Sequence, residues 1–350
     1  LRPTMLQSIP TSPVAIKMEP LLLLRNDFGQ AGDNSLTDQL TPVQVQGLTG
    51  ITQIAAGAYH NLALDSFGSV WAWGQNGDGQ LGNGTQTTSS TPMQVSGLND
   101  VIAIATGTSH SIALKGNGTV WTWGTNSYYE LGHGLGGTTD ELVPGQVPNL
   151  FNVIDIAGGY KFTTVLKQNN TVWSWGRNRA GQLGTGDTTD RNIPVAALLP
   201  ATVDSIHASL SERAFAVMSD GSVWGWGNNG SYGAVGNGSG LNQFSPVKVF
   251  ENAVHLSSGK EHTIALAADA SLWAWGRNME GEYGTGNTSY NNTPVSAANL
   301  ADITAVVAGG NFTAVLKANG TVWCWGSNSY GQLGNNNTDT SLVPVQAMVK

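Results

Sequence analysis

The chain has 350 residues, of which only 11% are charged, and 15 Lys and Arg against 23 Asp and Glu leave a net charge of -8. No basic run occurs, so the clustered cations that neutralise phosphates are missing and nucleic acid is not an expected partner. No apolar run approaches the roughly 20 residues that span a bilayer, so membrane insertion is not expected, and Cys324 alone cannot build a disulfide framework.

In chain order the sequence is written with a period near 50 residues, the mark of an array of like supersecondary units. The first copy is degenerate. Residues 5–9 and 14–17 read as weak strands, and Leu21 and Leu23 stand where later copies carry tryptophan. Asn26-Asp27-Phe28-Gly29-Gln30-Ala31-Gly32 then matches Asn76-Gly77-Asp78-Gly79-Gln80-Leu81-Gly82. Six fuller copies follow, centred on Trp71-Ala72-Trp73-Gly74, Trp121-Thr122-Trp123-Gly124, Trp173-Ser174-Trp175-Gly176, Trp224-Gly225-Trp226-Gly227, Trp273-Ala274-Trp275-Gly276 and Trp323-Cys324-Trp325-Gly326. These segments use all twelve tryptophans.

Each copy carries four strand signals. In the second full copy Val101 to Ala105 is small and β-branched and ends near Gly107, and His110 to Leu114 follows. The Asn117-Gly118 pair predicts a type I′ hairpin turn before the Trp-x-Trp strand. Period 2 puts both tryptophans of that strand on one face and the small x residue on the other, which lets the bulk of one sheet enter the hollow of the next. Cys324 is such an x residue and reads as packing. The fourth signal opens with proline, at Pro42, Pro92, Pro144, Pro194, Pro246, Pro294 and Pro344. Proline cannot donate to a ladder, so this strand is expected outermost and the Ala-rich first strand innermost.

Seven proline signals against six Trp-x-Trp signals predict seven four-stranded antiparallel sheets, the first decayed. Bare terminal edges are a liability that radial closure removes, so the expected fold is an all-β, seven-bladed β-propeller over residues 14–350. Residues 1–13 are expected to be an N-terminal segment contributing to the closing blade.

The repeated Gly-x-Val-Trp-x-Trp-Gly-x-Asn-x-x-Gly-Gln-Leu-Gly, Pro-x-x-Val and Ile-x-x-Ala-x-Gly-x-x-His-x-x-Ala-Leu resemble the repeat of the RCC1 family, regulators of chromosome condensation. His60, His110 and His262 match the family's histidine, whereas Phe162, Arg213 and Phe312 replace it. A residue absent from half the copies is not a shared catalytic or metal group, and the reading is a turn histidine bonding backbone. Gly77-Asp78-Gly79-Gln80-Leu81-Gly82 fits G-x-G-x-x-G, but no helix follows it, so no dinucleotide site is expected. No catalytic residue, metal site or cofactor is identified. Asp140, Glu141, Asp187, Asp190, Glu280 and Glu282 read as solvated loop carboxylates.

Within the fixed frame, the turn after the inner strand varies most. Tyr59, Ser109, Tyr160 with Lys161, Ser211 with Glu212 and Arg213, Lys260 with Glu261, and Asn311 are the candidate partner-binding residues. The leading expectation is a non-enzymatic protein-protein interaction or scaffold module that binds a protein through one face of the propeller. The resemblance also implies a guanine-nucleotide exchange factor for a small GTPase, although the spacing leaves no room for an inserted wedge. A third reading is a self-assembling structural protein that completes its first blade by strand exchange. Light sensing by clustered tryptophans, as in a plant relative, is disfavoured because the repeat accounts for every tryptophan. Low Lys content with abundant Asn, Thr, Gly and Ser points to an exported bacterial protein, extracellular or at the cell surface, with the cytoplasm as the alternative. The chain opens on Leu1 without a charged-then-apolar leader, which reads as a processed chain or a fragment.

Overall fold

The computed structural model describes residues 26–134, 137–200 and 202–348. Each full copy of the repeat folds as one four-stranded antiparallel sheet in which neighbours in sequence are neighbours in space. In the first sheet β1 is Ile51–Ala56, β2 His60–Asp65, β3 Val70–Gly74 and β4 Ser89–Gln94. The others are β5–β8 (101–146), β9–β12 (153–196), β13–β16 (203–250), β17–β20 (253–296) and β21–β24 (303–346). As expected, Trp-x-Trp forms the third strand of each sheet and the proline-led segment the outer fourth. The small-residue first strands meet one another in succession, β1 with β5, β5 with β9, β9 with β13, β13 with β17 and β17 with β21.

The propeller has six four-stranded blades among the described residues, not seven. Residues 26–46 form no strand, and the strands expected at 5–9, 14–17 and 21–24 lie outside the described residues. A proline-led edge segment has no ladder without a neighbour to supply one, and Pro42 to Val45 pairs with no described strand. Residues 26–46 nevertheless close the ring. A backbone N–H in the loop after each third strand donates to the fourth strand of the next blade, as Gly84 does to Leu142 O at 2.9 Å and Gly286 to Leu342 O at 2.9 Å. In the same way Asn336 N–H donates to Leu40 O at 3.0 Å, and Asn34 N–H to Ser90 O at 3.2 Å. The last blade thus reaches the first through this loop.

The large-into-small packing of successive sheets is present. Leu62, Leu64, Val70 and Ala72 of the first sheet form one core with Trp123 of the second, and Ile264, Leu266 and Ala274 of the fifth form another with Trp325 of the sixth. Only the second tryptophan of each pair is fully buried; the first is half-buried. Burying an indole leaves its N–H in need of an acceptor, and here the loop of the preceding copy supplies one. Trp73, Trp123, Trp175, Trp226, Trp275 and Trp325 donate to the carbonyls of Gln30, Gln80, Glu130, Gln182, Ala234 and Glu282 at 2.7–3.0 Å. Gly82, φ +65°, is needed at this crossing because a Cβ there would stand 2.6 Å from Trp123 Nε1.

Two local expectations are corrected. The hairpin between the second and third strands is not type I′: Gly118 is left-handed and Asn117 is not. Gly118 N–H bonds Lys115 O and Lys115 N–H bonds Thr119 O, the turn-plus-bulge alternative. The histidines do not serve backbone groups of their own turn. His60, His110 and His262 reach across to Ser111, Thr163 and Thr313 of the next blade at 3.0–3.1 Å. Those hydroxyls in turn donate to Gln80, Glu130 and Glu282 O. With the hydroxyl proton committed, each Nε2 must be the donor. Burial pushes the His60 imidazole down to about 4 and those of His110 and His262 to about 3, so the rings stay neutral.

Candidate functional site

The turns that join first to second strands lie at one end of every blade, and a constant backbone bond holds them. The residue after each Trp-x-Trp-Gly donates its N–H to a turn carbonyl: Gln75 to Tyr59, Thr125 to Ser109, Arg177 to Lys161, Asn228 to Glu212, Arg277 to Glu261 and Ser327 to Asn311, at 2.6–3.0 Å. Neighbouring turns are tied as well. Ala58 N–H bonds Thr108 O, Tyr160 N–H bonds Ser209 and Ser211 O, and Lys260 N–H bonds Gly310 O. Variable side chains are therefore carried on a fixed frame around one face.

Of the candidate residues, Tyr59 and Lys260 are exposed, and Ser109, Tyr160, Lys161, Ser211, Glu212, Glu261 and Asn311 are half-buried. Tyr59 lies against Phe28 of the closing loop, ring centres 5.3 Å apart. Ser211, Arg213, Lys260 and Glu261 come together around a cleft of about 210 Å³ that Tyr232 also lines. Arg213 is only 3% exposed. Standing in the histidine slot, it donates to Gly259 O at 3.0 Å and Lys260 O at 2.9 Å, so it holds the next turn in place. Burial lowers its guanidinium to about 10, which leaves it charged at neutral pH.

The loop after the third strand adds residues that comparison of the turns alone had missed. Its frame is a buried asparagine: Asn76 Oδ1 accepts Leu81 N–H at 2.9 Å, while Nδ2 donates to the Thr85 and Thr87 carbonyls. Next comes a slot that varies, holding Phe28, Asp78, Tyr128, Ala180, Glu280 and Tyr330. Tyr128 reaches the neighbouring blade. Lys161 Nζ lies 4.3 Å from its ring centre, the Arg177 guanidinium 5.2 Å and that of Arg179 5.4 Å; Lys161 and Arg177 also face Tyr160, at 5.4 and 5.6 Å. Arg177 pairs with Glu212 at 2.5 Å. Lining up the Asn-x-x-Gly-Gln slot across copies would have found Tyr128.

The loop carboxylates expected to be solvated are mostly engaged. Asp140 and Asp190 accept the Asn126 and Asn178 N–H, and Asp187 pairs with Arg191 at 2.6 Å. Glu280 and Glu282 both pair with Arg277, and Glu282 is fully buried. Glu130 occupies the same slot in its own copy without an arginine, and burial pushes its carboxyl up to about 7. Among the described residues no three His, Cys, Asp or Glu side chains are grouped to hold a metal ion.

Residues 25–350 match the family model of the RCC1-like domain. The chain is 34% identical over 278 residues to the ultraviolet-B receptor UVR8 of Arabidopsis thaliana, covering 77% of this chain and 63% of the receptor. It is 30% identical over 255 residues to the probable E3 ubiquitin-protein ligase HERC4 of Homo sapiens, covering 70% of this chain and 19% of the ligase. The chain therefore spans less than two thirds of either relative. Solved structures of similar fold include Prp20p of Saccharomyces cerevisiae, described with its binding to Gsp1p and histones (TM-score 0.81, 23% identity, 93% of this chain and 84% of that one). Another is yeast RCC1 (Prp20) bound to Kap60 (TM-score 0.79, 24% identity, 94% and 81%). At these identities the likeness is one of fold.

Proposed function

Because the chain belongs to the RCC1-like domain family, we propose that it is a non-enzymatic protein-binding module whose partner sits on the turn face of the propeller. The observation that carries this reading is the contrast between a constant backbone bond at all six turns and the side chains it presents, from Tyr59 and Tyr160 to Glu212 and Lys260. Rigidly held aromatic and charged residues are what interface hot spots use, since little entropy is lost when they are covered. The yeast relative bound to Kap60 shows a propeller of this fold in a complex with another protein, which supports the reading by analogy only.

The test begins with the purified chain as bait in extracts of its source, identifying captured proteins by mass spectrometry. A variant carrying Tyr59→Ala, Tyr160→Ala and Glu212→Ala together is expected to bind the captured partner at least about tenfold more weakly. Unchanged affinity removes the turn face as the binding site for that partner. Accelerated nucleotide release from a captured small GTPase would move the reading to an exchange factor, and recovery of the bait alone would move it to self-association.

A further inference from the structure

We infer that Tyr128, Tyr160, Lys161, Arg177 and Arg179 form a docking site for an acidic, carboxylate-bearing segment of a protein partner. The inference rests on the turn-face reading and names the chemistry that one sector of that face would recognise.

The first observation is a concentration of cations that the molecule neutralises only in part. The whole chain holds 15 Lys and Arg in a background of net charge -8, yet three cations lie within 5.4 Å of the Tyr128 ring. Like charges gathered around one ring repel, and the tyrosine faces offset only part of the repulsion. Arg177 has a carboxylate partner in Glu212; Lys161 and Arg179 form no ion pair among the described residues. Asp78 and Glu130 feel the Lys161 charge without pairing with it. Incoming carboxylates would supply the counter-charges that Lys161 and Arg179 lack.

The second observation is independent of charge. Lys161 has φ +60°, a left-handed conformation that side chains other than Gly, Asn and Asp rarely adopt, and the corresponding turn residues Tyr59, Ser109, Glu212, Glu261 and Asn311 do not share it. Its blade is the one whose first strand, β9 (Val153–Gly159), runs a residue longer than the other first strands, with Phe162 paired to Gly159. Glycine would fit there without strain. Keeping lysine trades local backbone ease for an ammonium held over Tyr128, the kind of outlier that marks a functional position.

The sector favours a carboxylate-bearing protein segment over a polyphosphate. Three cations with two tyrosines, with Glu212 paired to Arg177 and the Asp78 carboxyl close enough to feel Lys161, make a local spot and not the extended basic track that a nucleic-acid backbone needs. A short acidic segment needs only two or three such contacts, and aromatic side chains in it could stack on the tyrosine platform.

The experiment uses the whole chain with fluorescein-labelled octaglutamate as the probe, read by fluorescence anisotropy at roughly 50 mM salt and again at roughly 500 mM. Labelled octaglutamine and a twelve-residue oligothymidylate serve as comparisons. Octaglutamate is expected to bind in low salt and to lose most of that binding in high salt. Lys161→Gly and Arg179→Ser should each weaken it, and together by at least about tenfold. Lys317→Ser, in a hairpin at the opposite end of the blades, should change nothing. Lys161→Gly should not lower the melting temperature, which separates loss of the site from loss of the fold. No octaglutamate binding, equal binding by octaglutamine, tighter binding by the oligothymidylate or indifference to both substitutions would each overturn the assignment. If octaglutamate fails while the triple variant still loses its captured partner, the acidic-segment assignment falls and the turn-face reading stands. If the probe binds as expected and the captured partner ignores the triple variant, the face reading fails for that partner alone.

Discussion

Glu130 and Glu282 occupy the same slot of the repeat, in which Gln30, Gln80, Gln182 and Gln332 stand elsewhere, and both are fully buried. Their neighbourhoods differ. Arg277, five residues before Glu282, closes an ion pair with it and also reaches Glu280 and Glu261. Burial alone would lower the Arg277 guanidinium, but Glu282 and Glu280 hold it above its ordinary value. The residue five before Glu130 is Thr125; one carboxyl oxygen, Oε2, accepts the Tyr128 N–H at 2.7 Å, while Oε1 has no partner among the described residues. The same burial is partly offset in one blade, where desolvation still holds the Glu282 carboxyl above its ordinary value against the pull of Arg277, and left open in another. What a buried carboxyl costs depends on who stands five residues away, not on the repeat frame.

The largest effect expected in breaking this contrast is from Arg277→Ala, which strands the Glu282 charge. A loss of about 3 to 4 kcal/mol in urea unfolding is expected at neutral pH, and Glu282→Gln in the same chain should restore most of it. Absence of rescue would mean that Arg277 acts by packing.

Next is Glu130→Gln. Burial raises the Glu130 carboxyl from 4.5 to about 7, so between those values the folded chain holds a proton that the unfolded chain has released. Stability from this group is full below about pH 4.5, declines as pH rises towards 7 and stays low above it. The substitution should therefore stabilise by on the order of 2 to 3 kcal/mol at pH 8 and by nothing near pH 4.5. A pH-independent gain would contradict the assignment.

A smaller effect is predicted for Thr125→Arg, which places in the second blade the arginine that the fifth blade owns. About 1 to 2 kcal/mol should be gained at pH 8 and none at pH 5. Equal gains at both would point to surface charge and not to Glu130. The smallest is Arg177→Ala. Its pair with Glu212 is partly exposed on both sides, and about 1 kcal/mol or less should be lost in thermal unfolding. A loss as large as that of Arg277→Ala would erase the distinction between the two arginines.

Much of this contrast was not legible along the chain. The slots were visible, because Gln-to-Glu changes at 130 and 282 stand out against a constant frame. Their pairing was not, since the loop brings residue 277 back onto 282 only through Asn278, whose Oδ1 takes the Tyr283 N–H. The Tyr128 cluster was hidden for a stronger reason. Tyr128 and Lys161 belong to different copies, 33 residues apart, and meet only because each loop crosses to the following blade. Arg213 looked like a surface residue beside Glu212, but period 2 turns its side chain inward, into the slot that histidine fills in other blades.

By itself the sequence determined the repeat period, the four strands of each of the six full copies, their order, the outer place of the proline-led strand and the small-against-large packing of successive sheets. All of these follow from local geometry: alternation along a strand, the missing N–H of proline, the bulk of an indole. Tertiary structure alone decided that six four-stranded blades form among the described residues, that residues 26–46 bridge the last blade to the first, and which charges neighbour which around the turn face. Those features depend on contacts between copies, set by how the sheets close into a ring, and no spacing within one copy encodes them.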